Sequence, residues 1–279
     1  MTVTEEEATE PELEVVGRAE ADESSAHMSQ ERTIELLLER SKRPTRTVPI
    51  RRDFIQVGRA PNTAPGALRS LVASRRERSL DLYLLVAAVT SGSDYSVTDW
   101  SSTWARTIGI FDEKTGASAV SRAWKALKDL DLIATARGKG RRTTVIKRLE
   151  DGSGPYVPPV SGEPYLQLPF EYWEHGLHAS LSLPGKAMYL VALAQRRPSK
   201  GPSFPLVHAR ISQWYGLAEK TVASGITDLI DNGVLEQTGF EVYETLAVRT
   251  GRASRPLYSL REPFHHRGLP IPAPKDSSE

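Results

Sequence analysis

Six cations stand within the twelve residues from Arg137 to Arg148 (Arg137, Lys139, Arg141, Arg142, Lys147 and Arg148), and no acid interrupts them. Gly138 and Gly140 lie among them, a composition suited to a tight hairpin turn. An exposed hairpin needs some charge to discourage edge pairing, but mixed signs would serve equally well; a single sign suits a polyanion such as a phosphate backbone. Just upstream, the run from Ser118 to Leu130 has apolar residues at helical spacing. If Val120, Ala123, Trp124, Leu127 and Leu130 face a core, then Ser118, Ser121, Arg122, Lys125 and Lys128 point outward. Arg and Lys on such a face can reach guanine edges or phosphates, and Ser can bond to either. The spacing assigns Arg122 and Ser121 to base edges and Lys125 and Lys128 to phosphate. Any one of these charges alone would be read as solvated surface.

The elements that must position these residues occur twice. VSRAWKALKDLDLI, Val120 to Ile133, aligns without a gap 102 residues later with VASGITDLIDNGVL, Val222 to Leu235. Tyr83-Leu-Leu85 matches Tyr189-Leu-Val191, Ile108-Gly-Ile110 matches Tyr215-Gly-Leu217, and Phe54-Ile-Gln-Val57 is paired with Tyr165-Leu-Gln-Leu168. The offset drifts, as it does when loops vary while packed elements keep their spacing. In the first copy, helices are expected over Ser79–Val89, Val97–Thr107 and Ser118–Leu130, with Ser118 as an N-cap, followed by the basic hairpin. In the second they are expected over Leu183–Ala194, Ala209–Tyr215 and Glu219–Asp231, with strand material from Val234 and over Pro256–Leu260.

The charge is not duplicated. Residues 48–150 hold 18 Lys and Arg against 10 Asp and Glu, a balance of +8, whereas residues 164–262 hold 10 against 9, or +1. Outward positions of the second third-helix (Lys220, Thr221, Ser224, Thr227, Asp228) are nearly neutral as a set, although Arg249, Arg252 and Arg255 could form a basic wing around Gly251. That domain could instead dimerise, or bind a protein or small ligand.

Three helices followed by a hairpin, with a short turn between the second and third, resemble a winged helix-turn-helix domain. The likeness rests on Ile108-Gly-Ile110 and Tyr215-Gly-Leu217 and on the signatures WKALKDLDLI and ITDLIDNGVL. The pair also resembles a largely uncharacterised family of tandem winged-helix proteins of high-GC Gram-positive bacteria and, more distantly, plasmid replication initiators. The first copy departs from the pattern in its longer turn, FDEKTGA. The fold class implied is mainly α with small β-hairpins (α+β), in two tandem winged helix-turn-helix domains.

The expected organisation is an acidic disordered tail over 1–27 and a short amphipathic helix with a basic arm over 28–47. Domain 1 follows over 48–150, a Pro/Gly linker over 151–163, domain 2 over 164–262 and a disordered tail over 263–279. The arm's cations (Lys42, Arg43, Arg46, Arg51 and Arg52) read as a solvated linker that could track phosphate. No membrane-length apolar run and no cysteine occur, which fits a reducing, nucleoid-associated cytoplasmic location. Glu174, His175 and His178 read as structural rather than as metal ligands, and Trp104, Trp124, Trp173 and Trp214 as core. No P-loop, nucleophile elbow or dinucleotide fingerprint appears, so neither an enzyme nor a cofactor is expected. The function implied is sequence-specific binding of double-stranded DNA for transcription control. Replication initiation and a protein-interaction role in a chromosome-organising complex stand as alternatives, and a homodimer, or a protein partner bound through the acidic tail or the 28–40 helix, stays open.

Overall fold

The computed structural model describes residues 28–59, 62–92, 94–138, 143–149, 156–160, 163–196 and 201–265. The acidic tail, the hairpin tip with Lys139, Arg141 and Arg142, and the end of the chain beyond 265 lie outside the described residues. The described chain is an α+β fold of helices and small antiparallel sheets, and none of its helices is long and apolar enough to cross a membrane.

Helix α1 (Gln30–Arg40) buries Ile34, Leu37 and Leu38 and packs on elements of both halves of the chain. Strand β1 (Thr47–Arg51) leads through a 3-10 turn (Arg52–Phe54) into a hairpin of β2 (Gln56–Arg59) and β3 (Asn62–Pro65) and then α2 (Ala67–Ala73). The first unit continues with α3 (Glu77–Val89), β4 (Ser96–Trp100), α4 (Ser101–Thr107), α5 (Gly116–Lys128), β5 (Ile133–Arg137) and β6 (Thr143–Arg148). The second comprises β7 (Tyr165–Pro169), the single turns α6 (Glu171–Glu174) and α7 (Leu177–Ser180), α8 (Leu183–Gln195), β8 (Phe204–Pro205), α9 (His208–Tyr215), α10 (Glu219–Asp231), β9 (Leu235–Glu244) and β10 (Arg252–Leu260). The sheets repeat one order, β4-β6-β5 and β8-β10-β9.

Local chemistry repeats with them. Helices α3 and α8 are apolar almost all round and almost wholly buried, as central helices must be. Helices α5 and α10 end in the same way. The Leu132 amide donates to the Leu127 carbonyl with Asp131 left-handed (φ 53°), and the Val234 amide donates to the Leu229 carbonyl with Gly233 left-handed (φ 69°).

Several expectations need correction. Residues 47–51 are not an arm but a strand, paired antiparallel with β7 in the register Val48 to Leu168, Pro49 to Gln167 and Ile50 to Leu166. Arg43 donates to the carbonyls of Ala87, Ala88 and Thr90, placing a cation on the negative end of α3. Arg46 and Arg51 pair with Glu174 and Glu163. Val97–Trp100 is strand rather than helix, and in α5 Thr115, not Ser118, is the N-cap. The true counterpart of β7 is β1, not Phe54–Val57. Phe54 stacks on Tyr83 at 4.6 Å as Tyr172 stacks on Tyr189 at 5.8 Å, so Phe54 corresponds to Tyr172. Within the linker Tyr156 is buried edge-on to Tyr95, and beyond residue 262 the Phe264 carbonyl accepts from the Tyr189 hydroxyl at 2.7 Å.

One core runs through both units. Helix α10 packs tightly on α8 at Gly225, where an added Cβ would lie 2.4 Å from the Pro184 carbonyl oxygen and 2.5 Å from Met188 Cγ. Since backbone cannot yield as a flexible side chain can, Gly225→Ala is expected to lower stability by about 1 to 3 kcal/mol, read from the denaturant midpoint.

Candidate nucleic-acid interface

Helix α5 is divided as its spacing predicted. Ala119, Val120, Ala123, Trp124 and Leu127 are buried, with the Trp124 ring edge-on to Trp104 at 5.4 Å, whereas Leu130 is only partly covered. Ser118, Ser121, Arg122, Lys125 and Lys128 are exposed on the opposite face.

Their bonding refines what each could do. The Ser118 hydroxyl donates to the Thr115 carbonyl at 2.8 Å and the Ser121 hydroxyl to the Ala117 carbonyl at 3.0 Å. With their protons committed, these oxygens are free to accept, which suits the amino groups of cytosine or adenine. Lys125 reaches Asp129 at 2.7 Å one turn away, so part of its charge is spent locally.

Arg122 stands in a cationic hollow that the sequence reading missed. Arg75, Arg76 and Arg78, at the turn from α2 into α3, line a concavity of about 340 Å³ with Arg122 and Ala119. Arg75 sits in the left-handed region at φ 53°, closing α2 as a glycine often does. Its amide donates to the Val72 carbonyl and that of Arg76 to the Leu71 carbonyl, and both side chains are exposed. Arg78 is tied to Glu113 of the long α4–α5 turn at 3.3 Å. Glu77, tied to Lys186, also lines the concavity, but the four arginines outnumber it, a balance that suits a phosphate, and the hollow adjoins the helix face that carries the base-reading candidates. The sequence signal was present in Ser74-Arg75-Arg76-Glu77-Arg78; its proximity to Arg122 required knowing how α3 packs on α5.

Arg137 is exposed at the end of β5. Lys139, Arg141 and Arg142 lie outside the described residues.

In the second unit Lys220, Ser224 and Thr227 are exposed and Thr221 is half-buried. Asp228 is not outward: its carboxylate accepts from the Ser182 amide at 2.8 Å and the Ser182 hydroxyl at 2.6 Å at the start of α8. Arg249 and Arg252 are exposed near the β9–β10 turn. Arg255 is occupied within the hairpin, its Nε donating to Glu241 at 2.8 Å and its guanidinium lying 5.0 Å from the Tyr243 ring centre. That bond holds the Glu241 carboxyl below its ordinary range.

His175 and His178 fall on separate helical turns divided by the left-handed Gly176; His175 is exposed and His178 buried against Tyr172. Among the described residues no group of His, Cys, Asp or Glu is arranged to hold a metal. Trp104, Trp124 and Trp173 are buried, whereas Trp214 is only partly so.

No protein-family model matches the chain, and no curated protein matches it. The roles of these residues therefore follow from their placement and chemistry alone.

Proposed function

We propose that the protein is a non-enzymatic regulator of transcription that binds double-stranded DNA in a sequence-specific manner, built as two tandem winged helix-turn-helix domains. In this reading α5 enters the major groove, Arg122 and Ser121 meet base edges, and Ser118 and Lys128 contact the groove rim. Arg75 and Arg76 hold the adjacent phosphate. The basic β5–β6 hairpin, with Arg137, Lys139, Arg141 and Arg142, lies on the backbone or in the minor groove. Lys220, Thr221, Ser224, Arg249 and Arg252 offer a weaker second contact, and Arg255 braces its own hairpin.

The supporting observation is the exposed polar face of α5 meeting the arginine hollow at the start of α3. The repeated order of helices and three-stranded sheets supports the architecture.

Salt dependence tests the reading. If about six phosphates are neutralised, log K for a duplex should fall with log salt at a slope near −5, and a slope flatter than about −2 would refute it. Genome-wide mapping of bound sites checks the role: dispersed promoter-proximal sites are expected, and a single cluster of repeats at an origin would indicate replication initiation instead.

A further inference from the structure

The two units differ most in how their interiors are filled. In the first, Trp104 on α4 is fully buried and meets Trp124 edge-on. Aligning the left-handed glycines that follow α4 and α9, Gly109 and Gly216, places Ile211 opposite Trp104. The repeat that begins at Val120 and Val222 places Ile226 opposite Trp124. Two indoles in one unit are thus two isoleucines in the other, and the smaller Ile211 lines an open cleft of about 550 Å³.

The cleft lies between the end of α8, β8, α9 and the β9–β10 hairpin. Its apolar walls are Phe204, Ile211, Trp214 and Leu257, and its volume falls in the range of small-molecule sites. Arg210 is exposed at the rim with its guanidinium 5.4 Å from the Trp214 ring centre, so a cation is held beside an aromatic wall. Arg255 also lines the cleft, but Glu241 compensates it at 2.8 Å. Among the described residues that line the cleft, two guanidinium groups against one carboxylate leave a single uncompensated positive charge. That balance suits a monoanion, and Glu241 would repel a polyanion such as a phosphate ester.

We propose that this cleft binds a small aromatic carboxylate, with its ring against Trp214, Ile211 and Leu257 and its carboxylate on Arg210. Guanidinium and carboxylate match in planar geometry, and the apolar walls take the ring. Neither statement depends on DNA binding.

The test uses the full chain and 2-naphthoate, titrated by calorimetry. A Kd below about 1 mM is expected, within the range that an acid of this size can reach. The uncharged 2-naphthamide should bind at least about tenfold weaker, as should 2-naphthoate to Arg210→Ala, a surface change that leaves the core intact. Ile211→Trp, which sets an indole in the wall of the cleft, should abolish binding. Hydrogen exchange should slow in 204–211 and 241–257 on binding. A Kd above about 10 mM, unchanged affinity in Arg210→Ala, or protection confined to other segments would overturn the proposal.

Discussion

Lys186→Met is expected to cost about 3 to 5 kcal/mol of folding stability at pH 7, because it removes one partner of a buried ion pair and strands the other. Lys186 is 2% exposed on α8, and its ammonium lies 2.8 Å from Asp81 and 2.9 Å from Glu77, both on α3. Burial raises the Asp81 carboxyl to about 6, against the opposing pull of Lys186. The Tyr172 hydroxyl, buried on α6, is raised well above its ordinary value by burial and by Asp81, whereas burial and then Lys186 lower His178. Asp81 therefore holds a proton in the folded chain at pH values where the unfolded chain has released it. Its contribution to stability is full below about pH 4 and is lost as pH rises through about 6, a change of about 2 to 3 kcal/mol. Without Lys186 the carboxyl should titrate higher still, so the deficit of Lys186→Met should shrink at pH 5. The double variant Lys186→Met with Asp81→Asn should recover most of the loss, because no uncompensated charge then stays buried. Denaturant midpoints of the parent, Lys186→Met, Asp81→Asn and the double variant at pH 5 and 7 read all of this. A single variant within about 1 kcal/mol of the parent at pH 7 would show that the pair is well solvated.

The second large effect rests on the proposed function and concerns affinity for duplex DNA. Alanine at Arg75, Arg76 and Arg122 together is expected to weaken binding about 100-fold or more near 0.1 M salt, and to flatten the salt slope by about 2 to 3. The components should differ in kind. Arg75→Ala and Arg76→Ala should weaken binding to all sequences alike, whereas Arg122→Ala should cost about 1 to 3 kcal/mol and relax preference at one base pair. Lys220→Ala in the second unit should change affinity far less, since α10 has a nearly neutral outer face. Competition binding with a specific and a scrambled duplex separates these outcomes. If the triple variant bound as the parent does, the hollow at the start of α3 would not be a phosphate contact.

What could be read from the sequence was what repeats locally. The period of α5 separated Val120, Ala123, Trp124 and Leu127 from Ser121, Arg122, Lys125 and Lys128, because a helix fixes both faces within a few residues. Strands with distant partners were less legible. Pro49 and the cations around it suggested a linker, but residues 47–51 are held by partners at 165–169, and their own composition names no such partner. Val97–Trp100 reads as one run with the helix that follows it for the same reason, since β6, its partner, lies beyond two further helices and a strand. Asp228 sits where helical spacing turns a residue outward, yet the start of α8 recruits its carboxylate. The hollow around Arg122 needed two elements to meet, and only packing reveals that.

The pairing of β1 with β7 carries a last consequence. If Thr47 corresponds to Tyr165 and Arg51 to Pro169, the pairing is reciprocal: Thr47 pairs with Pro169, and their counterparts, Tyr165 and Arg51, pair with each other. That is the rule of an isologous contact, the kind that joins identical subunits about a twofold axis. The molecule is thus a dimer written into one chain, and the Lys186–Asp81 pair, absent from the equivalent positions Leu80 and Ala187, breaks its symmetry. A true dimer loses its second half on dilution and can exchange it with a relative. This one can do neither, and its two halves are free to diverge, as the indoles of one and the open cleft of the other record.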